Sequence, residues 1–176
     1  MTRLETDRLV IRPFDPADCE RWLELVNDPE VCRFLPPSEP ATADDFSAAL
    51  AARHAMEERL GYCTWAVDEA ETNTLIGQCG IRPFDQDQTQ TEMAYHYLPA
   101  SWSKGYASEA ATAVLGYAFD SIGLDRVMAI VVAENVGSWR VLEKAGMRYV
   151  GSVEYYGLAG LKQYQAERAW WRPSTS

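Results

Sequence analysis

Hydrophobic positions change period several times along the chain, and each change marks an element. Leu9, Val10 and Ile11 form a short β-rich run between Arg8 and Arg12 and read as an opening strand. Asp15-Pro16-Ala17-Asp18 supplies the cap and first-turn proline of a helix, and Cys19, Trp22, Leu23 and Val26 follow at i, i+3, i+4 and i+7 on one apolar face. Pro36, Pro37 and Pro40 cannot continue it, because proline removes a backbone donor and restricts its predecessor. Thr42 with Asp45 three positions on predicts a second helix that runs to about Arg59 and stops at Gly61. Residues 62–67, 74–81 and 91–98, rich in Thr, Tyr, Ile and Val and separated by Asp/Gln/Asn loops, predict an antiparallel meander. Residues 107–122 predict a helix with Ala111, Leu115, Ala118 and Ile122 on one face and Gly123 as its stop. A strand at 126–133, a short helix from Asn135 to Gly146 and two strands at 147–155 and 163–171 close the chain.

A strand, crossover helix and strand over 91–133 predicts a right-handed parallel unit inside an otherwise antiparallel sheet, a mixed α/β (α+β) architecture. At 176 residues one domain, 1–176, is expected. Composition narrows the function. Lys plus Arg number 16 against 26 Asp plus Glu, a net charge of -10 that repels a phosphate backbone and argues against nucleic-acid binding. Cys19, Cys32, Cys63 and Cys79 form no C-x-x-C pair, and with His54 and His96 as the only histidines no metal site is expected. No uncharged run approaches the ~20 residues of a membrane span, and charges interrupt the first residues, so a cytoplasmic protein with reduced thiols is expected.

The segment Trp102-Ser103-Lys104-Gly105-Tyr106-Ala107-Ser108-Glu109-Ala110 joins the third meander strand to the long helix, where helix N–H groups beside a glycine turn form an anion cradle. Gly105 permits a positive φ or close backbone approach, Ala107 leaves room, and Lys104 and Ser108 add charge and a hydroxyl. A diphosphate fits such a cradle, although a glycine turn alone explains the same residues. Neither G-x-x-x-x-G-K-[ST] nor G-x-G-x-x-G is present.

Leu98-Pro99 with Trp102 to Ala110, followed by Asn135-Val136-Gly137-Ser138-Trp139-Arg140-Val141-Leu142-Glu143-Lys144-Ala145-Gly146-Met147, resembles the GNAT superfamily of N-acetyltransferases. Thr6-Asp7-Arg8-Leu9-Val10-Ile11-Arg12-Pro13-Phe14 and Asp28-Pro29-Glu30-Val31 are similar to the opening of its RimJ/RimL branch of ribosomal-protein N-terminal acetyltransferases. The resemblance implies a twisted seven-stranded sheet with a splayed parallel pair, about four flanking helices, and acetyl-CoA held in the splay. It places the pyrophosphate on the amides of Lys104, Gly105, Tyr106, Ala107 and Ser108, and the pantetheine arm on Tyr97 and Leu98. Asn135 then contacts the cofactor and Ser138 faces the thioester. Two positions depart from the family: Trp102 replaces a frequent Arg or Gln, and Leu142 replaces a tyrosine general acid.

Acetyl transfer to an amine needs a neutral nucleophile, oxyanion stabilisation and a proton for the thiolate. Glu92 is the expected base, acting through water, with His96 the other candidate; Ser138 is the expected proton donor. Alternation places Glu92, Ala94 and His96 on one strand face. The expectation is an acetyl-CoA-dependent N-acetyltransferase, without metal, acting on a protein N-terminal or small-molecule amine. A non-catalytic CoA-binding module and a nucleotide-binding regulator are the rivals. The acceptor is unread, and the family implies a homodimer in many members.

Overall fold

The computed structural model describes residues 1–84, 89–155 and 157–172. In chain order it forms β1 (Leu4–Glu5), β2 (Leu9–Arg12), a 3-10 turn (Pro16–Asp18), α1 (Cys19–Asn27), α2 (Pro29–Cys32), α3 (Ala43–Leu60), β3 (Thr64–Glu69), β4 (Thr74–Pro83) and β5 (Thr91–Tyr97). These are followed by α4 (Tyr106–Gly116), β6 (Arg126–Val131), α5 (Val136–Lys144), β7 (Arg148–Tyr155) and β8 (Leu158–Glu167). The Asp/Gln part of the loop before β5, residues 85–88, lies outside the described residues. The strands form one sheet in the order β1-β2-β3-β4-β5-β6-β8-β7, antiparallel except for β5 beside β6. The mixed α/β fold with one parallel pair is thus as the residue pattern predicted.

The helix starts follow their chemistry. Asp15 caps the 3-10 turn and shares a capping box with Asp18, and Thr42 and Asp45 do the same for α3, which ends on Gly61 at φ 78°. Asp28 accepts from the amides of Glu30 and Val31 to start α2, a helix too short to leave a periodic signal. The two-residue β1 is likewise too short for alternation, which is why eight strands stand where seven were expected. The predicted 107–122 helix is α4 to Gly116 and then widens into a π-helical segment, Tyr117–Ile122, that Gly123 ends at φ 81°. The closing strand starts and stops earlier than 163–171. It runs from Leu158 to Glu167, after which the amides of Trp170 and Trp171 turn back onto the Glu167 carbonyl.

Two apolar layers sandwich the sheet. Ile11, Trp65, Val67, Cys79, Ile81, Met93 and Tyr97 pack with Ala110, Ala111, Val114 and Leu115 of α4 on one face. Phe14, Trp22, Phe46, Ala66 and Leu75 pack with α1 and α3 on the other. Trp65 and Val67 against Ala66 show the two-residue period directly. Fully buried side chains such as Leu115 contribute about 1.5–3 kcal/mol each through burial. Arg12 stitches the first layer of chain together, bonding Asp68 on β3 at 2.6 Å and both oxygens of Asp18 at 2.8 and 2.9 Å. Burial pushes the Asp68 carboxyl up, and Arg12 opposes that rise.

Candidate active site

The start of α4 differs from those of α2, α3 and α5. Gly105 occupies the N-cap at φ 86° and no side chain caps the helix, whereas Asp28, Thr42 and Asn135 cap α2, α3 and α5. The turn's first backbone bond is Glu109 N–H to the Gly105 carbonyl at 3.1 Å. The N–H groups of Tyr106, Ala107 and Ser108 precede it and have no helical acceptor. Ser103, Lys104 and Gly105 are exposed, so those donors open to solvent beside the lysine. This arrangement fits a diphosphate.

Residues of the turn between β1 and β2 brace the loop. Arg8 Nη1 donates to the Lys104 carbonyl at 2.9 Å, and Arg8 Nε donates to Glu109 Oε2 at 2.8 Å. Thr6 Oγ1 donates to the other Glu109 oxygen at 2.6 Å. A Cβ added at Gly105 would stand 3.3 Å from Arg8 Nη2, in a backbone conformation that β-branched residues avoid. The Tyr106 hydroxyl is spent on Glu69, so this residue offers the cradle its N–H rather than its side chain.

Beside the cradle the sheet splays. β5 and β6 share a single register pair, Glu92 with Met128. Leu98 N–H bonds back to Ile76 on β4 at 3.0 Å, and its carbonyl accepts from Ser101 N–H at 2.8 Å. Leu98 is therefore engaged internally. By alternation the backbone groups of Tyr97 and Tyr95 face the gap instead. The Tyr97 carbonyl accepts from the indole N–H of Trp102 at 2.6 Å, which gives that departure from the family a local role.

Glu92 is buried, 7% exposed, and both Arg82 Nε and Nη2 donate to its Oε2 at 3.1 and 3.0 Å. Oε1 has no partner among the described residues and stays free to accept. Burial pushes the Glu92 carboxyl up while Arg82 pulls it down. His96 lies on the same face two pairs along, with Gln78 Nε2 at 2.9 Å from its Nδ1. Burial, Arg82 and Arg53 lower its pKa to about 4, so it is neutral near pH 7.

Across the gap, Asn135 caps α5 by accepting from Ser138 N–H at 3.2 Å. The Tyr95 hydroxyl donates to the Ser138 carbonyl at 2.8 Å and stands 2.9 Å from Ser138 Oγ. Since that phenol has one proton, Ser138 Oγ–H donates to the Tyr95 oxygen. Tyr95 escaped the sequence reading, although a tyrosine on the apolar face of a strand signals a polar partner. Leu142 is buried in the core at 1% exposure, where it has no route to a substrate. His54 is partly buried on α3, with Nε2 3.1 Å from the Phe14 carbonyl. Burial pushes the Cys63 and Cys79 thiols up to about 12, far from thiolate chemistry. Among the described residues no cluster of His, Cys, Asp and Glu could hold a metal, and no helix is long and apolar enough to cross a membrane.

The chain is similar to known acetyltransferases in sequence and in fold. The acetyltransferase (GNAT) domain family matches residues 8–148. The Bacillus subtilis (strain 168) N-acetyltransferase YoaA is 29% identical over 153 residues, covering 87% of this chain and 86% of that protein. A GNAT-family acetyltransferase structure from Bacillus anthracis is 26% identical with a TM-score of 0.81, covering 96% of this chain and 99% of that one. A ribosomal-protein-S5-alanine acetyltransferase structure from Vibrio fischeri shares the fold at 17% identity and a TM-score of 0.79, covering 98% and 100%. With the cradle, the splay and the family match over most of its length, the chain belongs to the GNAT acetyltransferases, enzymes that take their acetyl group from acetyl-CoA.

Proposed function

We propose that this protein transfers the acetyl group of acetyl-CoA directly to a primary amine, and that its acceptor is a protein N-terminus or a small-molecule amine, as in the RimJ/RimL branch. The observation that carries the reading is the uncapped, solvent-open start of α4 beside the splay of β5 from β6. The amides of Tyr106, Ala107 and Ser108, with Lys104, would hold the pyrophosphate, and the gap-facing backbone of Tyr97 would hold the pantetheine arm. Asn135 shapes the opposite wall. When bound, acetyl-CoA supplies an activated thioester carbonyl. Glu92 Oε1 takes the amine's proton through a water, while Arg82 holds Oε2 and fixes the carboxylate's orientation. The Ser138 hydroxyl, which donates to the Tyr95 oxygen at rest, turns its proton to the departing thiolate and regains one from solvent. Buried, high-pKa thiols at Cys63 and Cys79 favour direct attack over an acyl-cysteine.

Glu92→Gln tests the assignment because it keeps the volume and removes the base. Acetyl-CoA affinity by calorimetry should hold while kcat falls by about 10²–10⁴ near neutral pH. Thiol release measured against pH should show the deficit shrinking as solvent alone delivers neutral amine, near ~8 for a peptide terminus and nearer ~10.4 for a lysine-type amine. Wild-type rates across that range would remove Glu92 from the mechanism. Tight acetyl-CoA binding with no thiol release by the wild type, for any amine offered, would instead make the protein a CoA-binding module.

A further inference from the structure

The face of β4 and β5 under α1 and α3 holds, beside the Arg82–Glu92 pair, polar residues that the acetyl-transfer chemistry above does not use. In register, Gln78 pairs with His96, Gly80 with Ala94 and Arg82 with Glu92. Between the His96 row and the Glu92 row, Gly80 packs directly under the Cys63–Thr64 backbone, where an added Cβ would stand 2.1 Å from the Cys63 carbonyl oxygen. Gln78 is buried, and its Oε1 accepts from Trp22 Nε1 at 3.3 Å and from Arg53 Nη2 at 3.2 Å. Two donors on one atom identify it as the oxygen, because the amide nitrogen cannot accept. The other end of the amide, Nε2–H, therefore donates to His96 Nδ1 at 2.9 Å. A neutral imidazole that accepts at Nδ1 carries its proton on Nε2. Nε2 has no partner among the described residues, and it cannot act as a base while it holds that proton.

Charge on this face is balanced in number but not in place, with Arg12, Arg53 and Arg82 against Asp18, Asp68 and Glu92 among the described residues. Arg53 stacks over Phe14 and Trp22 at 4.7 and 5.6 Å and makes no ion pair among the described residues. Its Nη1 is buried and unbonded. Arg82 is half exposed, and its ion pair among the described residues is with Glu92. Asp18 and Asp68, the nearby acids of the same layer, are both taken by Arg12. Because Arg12 is shared between Asp18 and Asp68, the Arg53 guanidinium beside Gln78 is left without a described acid, and an acceptor with an electron-rich oxygen complements it where a polycation does not.

We propose that His96, fixed by Gln78 as the Nε2–H tautomer, is a specificity-determining hydrogen-bond donor of the acceptor site. It receives a carbonyl or carboxylate oxygen of the acceptor, which is an amine bearing such an oxygen, either an amino acid or a peptide N-terminus. Polyamines and plain alkylamines lack the oxygen and leave the donor unpaired. This rests on the acetyltransferase reading of the same cleft.

The first test needs no turnover. The chain has two histidines, so their imidazole nitrogens are resolvable by NMR, with His54→Gln assigning the pair. His96 should show the Nε2–H pattern in the wild type, and Gln78→Glu should shift it to Nδ1–H, because a carboxylate accepts rather than donates. An Nδ1–H or charged imidazole in the wild type near pH 7 overturns the proposal. The second test compares kcat/KM for alanine, alaninamide, an Ala-initiated peptide, ethylamine and spermidine. The oxygen-bearing amines should be preferred, with alanine against the peptide separating the two sources. His96→Phe should lower kcat/KM for the preferred acceptor about tenfold more than for ethylamine, chiefly through KM. His96→Gln, which restores an N–H donor, should recover part of that loss and guards against a folding defect in the phenylalanine variant. Turnover without discrimination among these amines overturns the proposal and leaves the acetyltransferase reading standing. No turnover of any of them, with the Nε2–H tautomer seen, counts against that reading instead.

Discussion

The starts of α3 and α4 are two solutions to one problem, the unpaired N–H groups that every helix leaves at its first turn. At α3, Thr42 Oγ1 accepts from Asp45 N–H, and the Asp45 carboxylate accepts from Thr42 N–H at 2.8 Å. The end is closed, and its chemistry is finished within the chain. At α4, Gly105 brings no side-chain acceptor, and the polar residues nearby point elsewhere: Glu109 to Thr6 and Arg8, the Tyr106 hydroxyl to Glu69. The end is open yet rigid. A helix start left uncapped and braced from outside keeps its N–H donors available to an anion, whereas a capping box satisfies them within the chain.

Gly105→Val should break the open end most severely. The positive φ costs about 1–3 kcal/mol of stability for a β-branched residue, and the added side chain enters the cradle against Arg8. We expect the Kd for acetyl-CoA, measured calorimetrically on the folded variant, to rise about tenfold or more. Unchanged affinity would mean that the α4 start is not the phosphate site. Thr42→Ala should break the closed end with the opposite signature. Losing the cap should cost about 1 kcal/mol and lower Tm by about 2–4 °C, while acetyl-CoA affinity stays as in the wild type. A comparable fall in affinity would erase the distinction between the two ends. Lys104→Ala is the gentlest probe. The backbone donors remain, so the Kd should rise only about twofold to fivefold at low salt, and the difference should fade as ionic strength screens an exposed charge.

Much of this distinction is legible in residue types alone. Thr42 with Asp45 announces a capping box, and Gly105 between Lys104 and the small Ala107 announces a turn without one. What the sequence does not carry is the bracing. Thr6 and Arg8 lie about a hundred positions from Glu109, and the short opening segment reads as a strand with arginines at its ends rather than as a clamp on a distant loop. The strand pattern similarly placed Glu92, Ala94 and His96 on one face. It gave no means of telling that Arg82 would take one oxygen of Glu92, or that Gln78 would set the proton of His96, since both come from the neighbouring strand. Tyr95 was invisible for the same reason. Its partner Ser138 belongs to a helix on the far side of the gap.

Local periodicity and cap chemistry determined the element order, the parallel pair and the glycine start of α4, because each depends on side chains a few positions apart. The errors at residues 163–171 arose where an aromatic run, Trp170-Trp171, imitates a strand while its backbone turns back on Glu167. Only the tertiary structure decided which donors remained free. Which groups are satisfied depends on partners brought together by strand register and by the single Glu92–Met128 bridge, beyond which β5 and β6 part. A hydrogen bond needs a specific atom within about 3 Å, and that proximity is a property of the folded sheet rather than of any stretch of the chain.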